Sequence, residues 1–292
     1  MHLLQFKNIS KKYGSFEALK NISFSIPENS IFGILGANGS GKSTFMKILP
    51  GLIQNWTGQI FYKNQILKFN SKLLKNNFGY LIESPTFYEY LTAKQNLELF
   101  SRISLVSKNR INNVLESVNL IERMNDKVSN YSYGMKQRLG IAQALLHNPD
   151  IIILDEPNNG LDPNGINDMT KLIKELKSQG KTICLSTHNL KDVEEICTDF
   201  TIFNNGINSI STSMEIQLKN SKKWLLNVSD KDKAISRISK SNLFNVINVF
   251  NNNILIDSKS KSTIKDLNYI LHDLDLYKIN KDSDLISYFK ND

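Results

Sequence analysis

The chain has 292 residues, of which 40% are hydrophobic and 22% are charged, and it carries a net charge of +8. This length and composition predict a soluble globular protein of one large domain or two ordinary ones. No run of about 18 apolar residues is present and the first residues lack the apolar segment of a signal peptide, so we expect a cytosolic protein that does not span a membrane.

Neither the basic charge nor the two cysteines indicate a binding partner or a metal site. Lysine and arginine are scattered among many Asn and Ile residues, so compositional bias explains the charge better than binding to nucleic acid or anionic lipid. Cys184 and Cys197 have neither a C-x-x-C spacing nor a histidine cluster nearby. We predict that both are buried thiols in a reducing compartment.

The first elements lead into a glycine-rich loop. Residues 3–32 have the pattern of successive strands with turns at 13–14 and 27–29, and the apolar run "SIFGIL" predicts a strand over 30–35. The segment "GANGSGKST", residues 36–44, fits the phosphate-loop pattern G-x-x-x-x-G-K-[ST], and a helix is expected over 42–49. A chance glycine-rich turn is disfavoured by this strand and helix. Lys42 would then bind the β- and γ-phosphates, and Ser43 would ligate Mg²⁺.

The middle of the chain alternates strands and helices. "GQIFYKN" predicts a strand, residues 92–119 are helical in pattern, and another helix is expected over 134–147, before Pro149. "DIIILDEP" is typical of a buried parallel strand. A helix over 163–178, the strand "KTICLSTH", a helix over 189–197 and the strand "DFTIFNN" follow. The alternation predicts an α/β fold with a parallel sheet covered by helices on both faces.

The last part of the chain has a different rhythm. From about residue 222 the order is strand, helix, strand, strand, helix, strand, with an Asn-rich hairpin turn at 251–253. This order predicts a small α+β module of the ferredoxin-like kind. We therefore expect one domain over 1–213 and an accessory module over 222–292, in which no catalytic or metal pattern occurs and which could serve dimerisation or regulation.

Three polar positions follow predicted strands at the edge where open α/β sheets bind ligands. Asp155 and Glu156 end the strand that begins at Ile151; Asp155 would hold Mg²⁺ through water, and Glu156 would deprotonate the attacking water. His188 comes just after another strand. Solvated carboxylates and a structural histidine are the alternatives, and the common position of these groups with the phosphate loop favours a catalytic site.

These motifs, in this order, resemble the ABC transporter ATPases over residues 3–213. The resemblance implies a P-loop NTPase cassette with a RecA-like core, an antiparallel β subdomain and a helical subdomain over about 84–148. It implies adenine stacking on Tyr13, a D-loop centred on Asp162, and catalysis by Lys42, Glu156 and the switch residue His188. The nucleotide-binding residues implied are Tyr13, Gly36, Asn38, Gly39, Ser40, Gly41, Lys42, Ser43, Thr44, Glu83, Ser132, Gly134 and Asp162, and the Mg²⁺ ligands are Ser43, Asp155 and Glu83.

The sequence departs from the family pattern at two places. The signature usually read as "LSGGQ" is here "YSYGM", which keeps Ser132 and Gly134; Ser132 is predicted to cap a helix that faces a γ-phosphate of an opposing subunit. Glu83 stands where the Q-loop glutamine is usual, and its carboxylate would bind Mg²⁺ but repel the γ-phosphate. Both departures resemble the ATPase subunits of bacitracin-resistance and lantibiotic-immunity exporters.

The resemblance implies an ATP-binding and ATP-hydrolysing subunit of an exporter. Two cassettes, as a homodimer or a heterodimer, would sandwich ATP and Mg²⁺ and would act on transmembrane permease subunits at the inner face of the cell membrane, without nucleic acid. The aromatic patch of Phe87, Tyr88 and Tyr90 is either the permease contact or subdomain core.

Three other functions remain open at this point. A soluble ABC ATPase acting on ribosomes or nucleic acid is disfavoured by the single cassette and the lack of heptads. A regulatory ATP sensor is disfavoured by Glu156 and His188, and an importer fits the signature and Q-loop less well than an exporter.

Overall fold

The structure is a computed structural model that describes residues 2–68, 72–103, 106–107, 109–250, 253–259 and 262–285. The chain divides into two compact units, Met1–Thr212 and Ser213–Asp292. Within the described residues, no helix combines the length and the apolar composition needed to cross a bilayer.

The first unit contains ten strands and seven α-helices among its described residues. The strands are β1 (His2–Tyr13), β2 (Phe16–Pro27), β3 (Ile31–Leu35), β4 (Thr57–Tyr62), β5 (Gln65–Ile66), β6 (Phe78–Leu81), β7 (Ile151–Asp155), β8 (Thr182–Thr187), β9 (Asp199–Asn204) and β10 (Ile207–Ser213). The helices are α1 (Lys42–Ile48), α2 (Lys72–Asn77), α3 (Ala93–Ile103), α4 (Asn109–Ser117), α5 (Tyr133–Leu145), α6 (Pro163–Ser178) and α7 (Leu190–Ile196).

A six-stranded sheet with the order β10-β9-β3-β8-β7-β6 forms the centre of this unit. The pairs β3–β8, β3–β9, β7–β8 and β6–β7 are all parallel, which confirms the predicted parallel sheet. Every residue of β3 and β8 is buried, as expected for strands covered on both faces. Their carboxyl ends therefore lie together at one edge of the sheet.

A second, antiparallel sheet with the order β2-β1-β4-β5 packs on the first through a cluster of phenylalanines. Phe24 lies at the centre of this cluster. Its ring centroid is 4.8 Å from that of Phe6, 5.2 Å from those of Phe32 and Phe45, and 6.1 Å from that of Phe203. Because Phe6 and Phe24 come from the antiparallel sheet and Phe32 and Phe203 from the parallel one, these contacts join the two sheets.

The predicted helical segment contains α3, α4 and α5, which pack on one another. Asn96 on α3 is fully buried and fixes the loop that precedes this helix. Its side chain accepts a hydrogen bond from the Tyr88 N–H and donates to the Tyr88 and Thr92 carbonyls. The Asn96 amide thus forms the hydrogen bonds that the polar backbone groups of this loop need when they are buried.

The second unit has the predicted strand–helix order. Its elements are α8 (Met214–Asn220), β11 (Lys223–Val228), α9 (Lys231–Lys240), β12 (Phe244–Phe250), β13 (Asn253–Ser258), α10 (Ile264–Ile270) and β14 (Leu276–Lys281). The sheet order β12-β13-β11-β14, with all pairs antiparallel, confirms the α+β module. The hairpin turn predicted at 251–253 falls largely on residues 251–252, which lie outside the described residues.

One helix of this unit was missed by the sequence patterns. We expected only a boundary over about 213–222, whereas α8 occupies Met214–Asn220 and is capped by Ser213, whose side chain accepts a hydrogen bond from the Ile216 N–H. The helix is short and buries only Met214, so its hydrophobic periodicity is too weak to be recognised in the sequence.

Replacing Phe24 by alanine should destabilise the first unit by about 3–5 kcal/mol, because the change leaves a cavity between the two sheets. Phe16→Ala is the matched control, since Phe16 is 63% exposed whereas Phe24 is 6% exposed. Urea unfolding followed by tryptophan fluorescence measures both. Equal losses of stability in the two variants would contradict the central position of Phe24.

Candidate functional site

The register of β8 brings the candidate site together. Leu35 at the end of β3 pairs with Thr187, and Asp155 at the end of β7 pairs with Ser186. The Gly36 N–H donates to the Thr187 carbonyl, with 3.2 Å between nitrogen and oxygen. The phosphate loop, the β7 carboxylates and the residue after β8 therefore converge, as the sequence predicted.

The phosphate loop needs glycine for two separate reasons. Gly41 has φ +106°, and a Cβ atom there would lie 2.8 Å from the Ala18 carbonyl oxygen. A Cβ at Gly36 would lie 2.5 Å from both the Phe203 carbonyl oxygen and the Ser40 hydroxyl. These positions cannot accept a side chain without moving backbone, so the loop retains its concave backbone cradle.

Lys42 begins α1 and is buried beneath the loop. Its ammonium donates to the carbonyls of Gly36 at 2.8 Å and Ala37 at 3.1 Å. It also lies 3.6 Å from the Glu156 carboxylate. A buried positive charge in a cradle of this kind is suited to bind phosphate oxygens.

Ser186 holds the Asp155 carboxylate and the backbone of Glu156 at the end of β7. Its hydroxyl donates to Asp155 Oδ1 at 2.5 Å and accepts from the Glu156 N–H at 2.9 Å. Burial raises the pKa of Asp155, and the neighbouring Glu156 charge adds to this effect, whereas the hydrogen bond from Ser186 opposes it. A cation bound beside Asp155 would favour its charged form.

His188 lies directly on the Glu156 side chain. Its Nδ1 atom is 2.8 Å from Glu156 Oε2, while the other carboxylate oxygen faces Lys42. Glu156 adopts φ +49°, a left-handed conformation that is unusual for glutamate. Such backbone strain is common where a side chain must be held in a functional position.

A cavity of about 530 Å³ contains these groups. Its lining residues are Phe16, Ala18, Asn38, Gly39, Gly41, Lys42, Ser43, Thr44, Glu156, Asn159 and His188. Asn159 and Phe16 are lining residues that sequence reasoning missed. Asn159 lies in the turn after Glu156, where its N–H donates to the Glu156 carbonyl, and no motif marks it.

The residues present fit a phosphate group and a magnesium ion. The Ser40 hydroxyl is buried in the loop and has no hydrogen-bond partner within the described structure, so it is available for an anionic oxygen. Ser43 faces the cavity, and Asp155 lies at the neighbouring strand end. Hydroxyl and carboxylate oxygens are the ligands that Mg²⁺ prefers.

The predicted adenine-stacking residue is placed beside the cavity lining, not in it. Tyr13 is 47% exposed, and its ring lies 4.8 Å from the Lys11 ammonium, which therefore occupies one face of the ring. Phe16, three residues later, lines the cavity. Stacking on Tyr13 stays a prediction, and Phe16 is a second candidate that the structure adds.

The signature-like segment caps a helix, as predicted. The Ser132 hydroxyl accepts a hydrogen bond from the Met135 N–H at the start of α5, and Asp162 caps α6 in the same way through the Gly165 N–H. Gly134 lies in the first turn of α5. None of these three residues lines the cavity, so their contact with nucleotide stays a prediction that requires a second subunit.

The Glu83 carboxylate has a positively charged partner. It forms an ion pair with the Lys47 ammonium on α1 at 2.5 Å, and this hydrogen bond lowers the pKa of Glu83. We expected a carboxylate that would repel the γ-phosphate, and the structure shows that a lysine compensates its charge. A role for Glu83 as a magnesium ligand stays a prediction.

Comparison with known proteins identifies a family. The sequence profile of the ABC transporter family matches residues 19–159. The chain is 38% identical to the bacitracin transport ATP-binding protein BcrA of Bacillus licheniformis, over 80% of this chain and 77% of BcrA. It is 39% identical to the lantibiotic transport ATP-binding protein SrtF of Streptococcus pyogenes, over 69% of this chain and 86% of SrtF.

Solved structures give the same result. An ATP-binding cassette of an ABC transporter in its ADP conformation superposes with a TM-score of 0.68 and 26% identity, over 76% of this chain and 94% of that one. A dimeric cassette in a post-hydrolysis state, bound to ADP and phosphate, superposes with a TM-score of 0.63 and 26% identity, over 72% of this chain and 98% of that one.

Two single substitutions should separate the aromatic candidates. Changing the residue that stacks on the base to alanine should weaken ATP binding about 5- to 150-fold, because an aromatic stack contributes about 1–3 kcal/mol. Phe16→Ala and Tyr13→Ala each serve as the control for the other. Titration with a fluorescent ATP analogue measures both, and unchanged affinity in both variants would exclude stacking on either ring.

Proposed function

The chain belongs to the ABC transporter family of ATP-binding proteins, and from this premise we propose that it serves an exporter of antimicrobial peptides of the bacitracin or lantibiotic type. As a member of this family it is the ATP-binding subunit of a transporter and hydrolyses ATP to drive transport. The exporter class is supported by the names of BcrA and SrtF and by the Glu83 and signature departures, which resemble that branch.

The observation that supports hydrolysis at this site is the position of Glu156 between two partners. One carboxylate oxygen faces Lys42 and the other faces His188, and all three side chains line one cavity. A general base must be held within hydrogen-bond reach of its proton donor. We assign that role to Glu156, whose two neighbours fix its orientation.

The reaction transfers the γ-phosphoryl group of ATP to water. Glu156 accepts the proton of the attacking water, and His188 orients the Glu156 carboxylate through its Nδ1 atom. Lys42 and the N–H groups of the phosphate loop bind the phosphate oxygens and offset their charge. Ser43 and Asp155 would hold a magnesium ion, which would supply further charge neutralisation at the phosphates.

A second cassette would complete the site. Ser132 and Gly134 lie at the start of α5 and do not line this cavity, and we assign them to the nucleotide of a partner subunit. The dimeric structure of a related cassette supports this arrangement. Whether the partner is a second copy or a different cassette does not change the roles of these residues.

The permease contact is proposed for the exposed part of the aromatic patch. Tyr88 and Tyr90 are 52% and 69% exposed, and their ring centroids are 5.9 Å apart. Phe87 instead packs against Phe100 on α3 and is half-buried, so it is less accessible to a partner. An exposed pair of tyrosines on a loop anchored by Asn96 suits a protein interface. The subunit would then lie at the inner face of the membrane through its permease.

Replacing Glu156 by glutamine should lower the ATP turnover rate by at least about 100-fold and leave ATP binding intact, because a general base contributes about 10²–10⁴-fold. Glu195→Gln on α7 is the control, since this glutamate is exposed and pairs only with Lys191 among described contacts. Phosphate release measures turnover. Unchanged turnover in the Glu156 variant would exclude Glu156 as the base.

The exporter class is tested in a bacterium sensitive to bacitracin and lantibiotics. Cells that produce this subunit and its permease should tolerate a higher concentration of peptide than cells that produce the Glu156→Gln variant. Equal tolerance, with turnover intact in the purified wild-type protein, would overturn the proposed substrate class and leave the ATPase function in place.

Changing Tyr88 and Tyr90 together to alanine should reduce co-purification with the permease at least tenfold, because central interface aromatics each contribute about 1 kcal/mol or more. Tyr269→Ala is the control, because that tyrosine is 84% exposed in the second unit. Quantitative pull-down from detergent extracts measures the effect. Full recovery of permease with the double variant would place the contact elsewhere.

A further inference from the structure

The loop after β6 is attached to the nucleotide side of the unit by an ion pair. Glu83 adopts φ +64°, which directs this non-glycine residue through a left-handed turn. Its carboxylate contacts the ammonium of Lys47, which lies in the last turn of α1. Because α1 begins at Lys42, this pair connects the loop to the helix that carries the phosphate-binding lysine.

The next residue of the same loop is attached to the signature-like helix. The Ser84 hydroxyl lies 3.4 Å from the Tyr133 hydroxyl, which also accepts a hydrogen bond from Gln137 Nε2 at 2.8 Å. The Tyr133 ring packs on Gly160, where an added Cβ atom would lie 3.2 Å from the ring. Tyr133 thus joins the loop, α5 and the turn before α6.

We propose that Lys47, Glu83, Ser84 and Tyr133 form a polar link that transmits the state of the phosphate-binding helix α1 to the start of α5. The proposal rests on the proposed function, because it concerns how this cassette couples ATP to movement. Glu83 and Tyr133 are two positions at which the sequence departs from the family pattern, and the fold brings them to adjacent residues of one link. They act as positioning residues.

The negative charge of Glu83 makes this link stronger than a link through a neutral glutamine would be. A glutamine oxygen could accept a hydrogen bond from the Lys47 ammonium, but only a carboxylate adds a negative charge and so forms an ion pair. The pair is partly exposed, so its contribution is modest and can be broken and re-formed during a cycle. A link of this strength suits a switch better than a permanent support.

Hydrogen–deuterium exchange of the peptide covering residues 82–92 tests the link in the full chain without nucleotide. Lys47→Gln and Glu83→Gln should each increase exchange about threefold, as expected for a partly exposed ion pair. The double variant should exchange no faster than either single one, because both remove the same contact. Lys47→Arg should retain wild-type exchange, and Lys191→Gln on α7 is the control for loss of a surface lysine.

Tyr133→Phe keeps the ring on Gly160 and removes only the hydroxyl. It should also speed exchange in this peptide, and with permease present it should lower kcat about threefold while the KM for ATP stays within twofold of wild type. Unchanged exchange in the Lys47, Glu83 and Tyr133 variants, or additive effects in the double variant, would overturn the link.

The same variants distinguish the link from magnesium binding by Glu83. If Glu83 were a magnesium ligand, Glu83→Gln would raise the Mg²⁺ concentration needed for half-maximal turnover whether residue 47 is lysine or glutamine, and the link would be overturned. Failure of the wild-type protein to hydrolyse ATP would instead refute the proposed function, independently of the exchange result.

Discussion

The register of β8 is the constraint on which the candidate site depends. This strand lies between β3 and β7, so a single pair of residues at its end controls both neighbours. The Ser186 hydroxyl binds the Asp155 carboxylate and the Glu156 N–H, and the Thr187 carbonyl accepts the first N–H of the phosphate loop. A shift of one residue would turn the Ser186 hydroxyl to the other face of the sheet and separate the loop from its carboxylates.

The charged side chains at this edge are held by polar partners. Lys42 lies between loop carbonyls and Glu156, and Glu156 lies between Lys42 and His188. Buried charges are tolerated only with such partners. The same arrangement leaves the cavity side of the loop rich in N–H and hydroxyl donors, which explains how a site with three acidic side chains nearby can still accept a phosphate group.

The loop after β6 joins the helical segment to the phosphate-binding helix α1. This loop is held by a buried amide from Asn96 at one end and by Lys47 and Tyr133 at the other. The exposed tyrosines 88 and 90 lie between these attachments. Under the proposed function, this loop would pass a displacement of α1 to the permease.

The sequence alone determined the elements with strong local signals: the phosphate loop, the apolar parallel strands, the helix cap at Ser132, and the order of elements from β11 to β14. Spacing and periodicity suffice there because each signal is contained in a few consecutive residues. Only the tertiary structure decided which residues meet across long separations, namely Glu83 with Lys47, Tyr133 with Ser84 and Gly160, and Phe16 with the cavity. Those contacts depend on how strands and helices pack, and no local pattern encodes the distance between side chains that lie 36 or 49 residues apart.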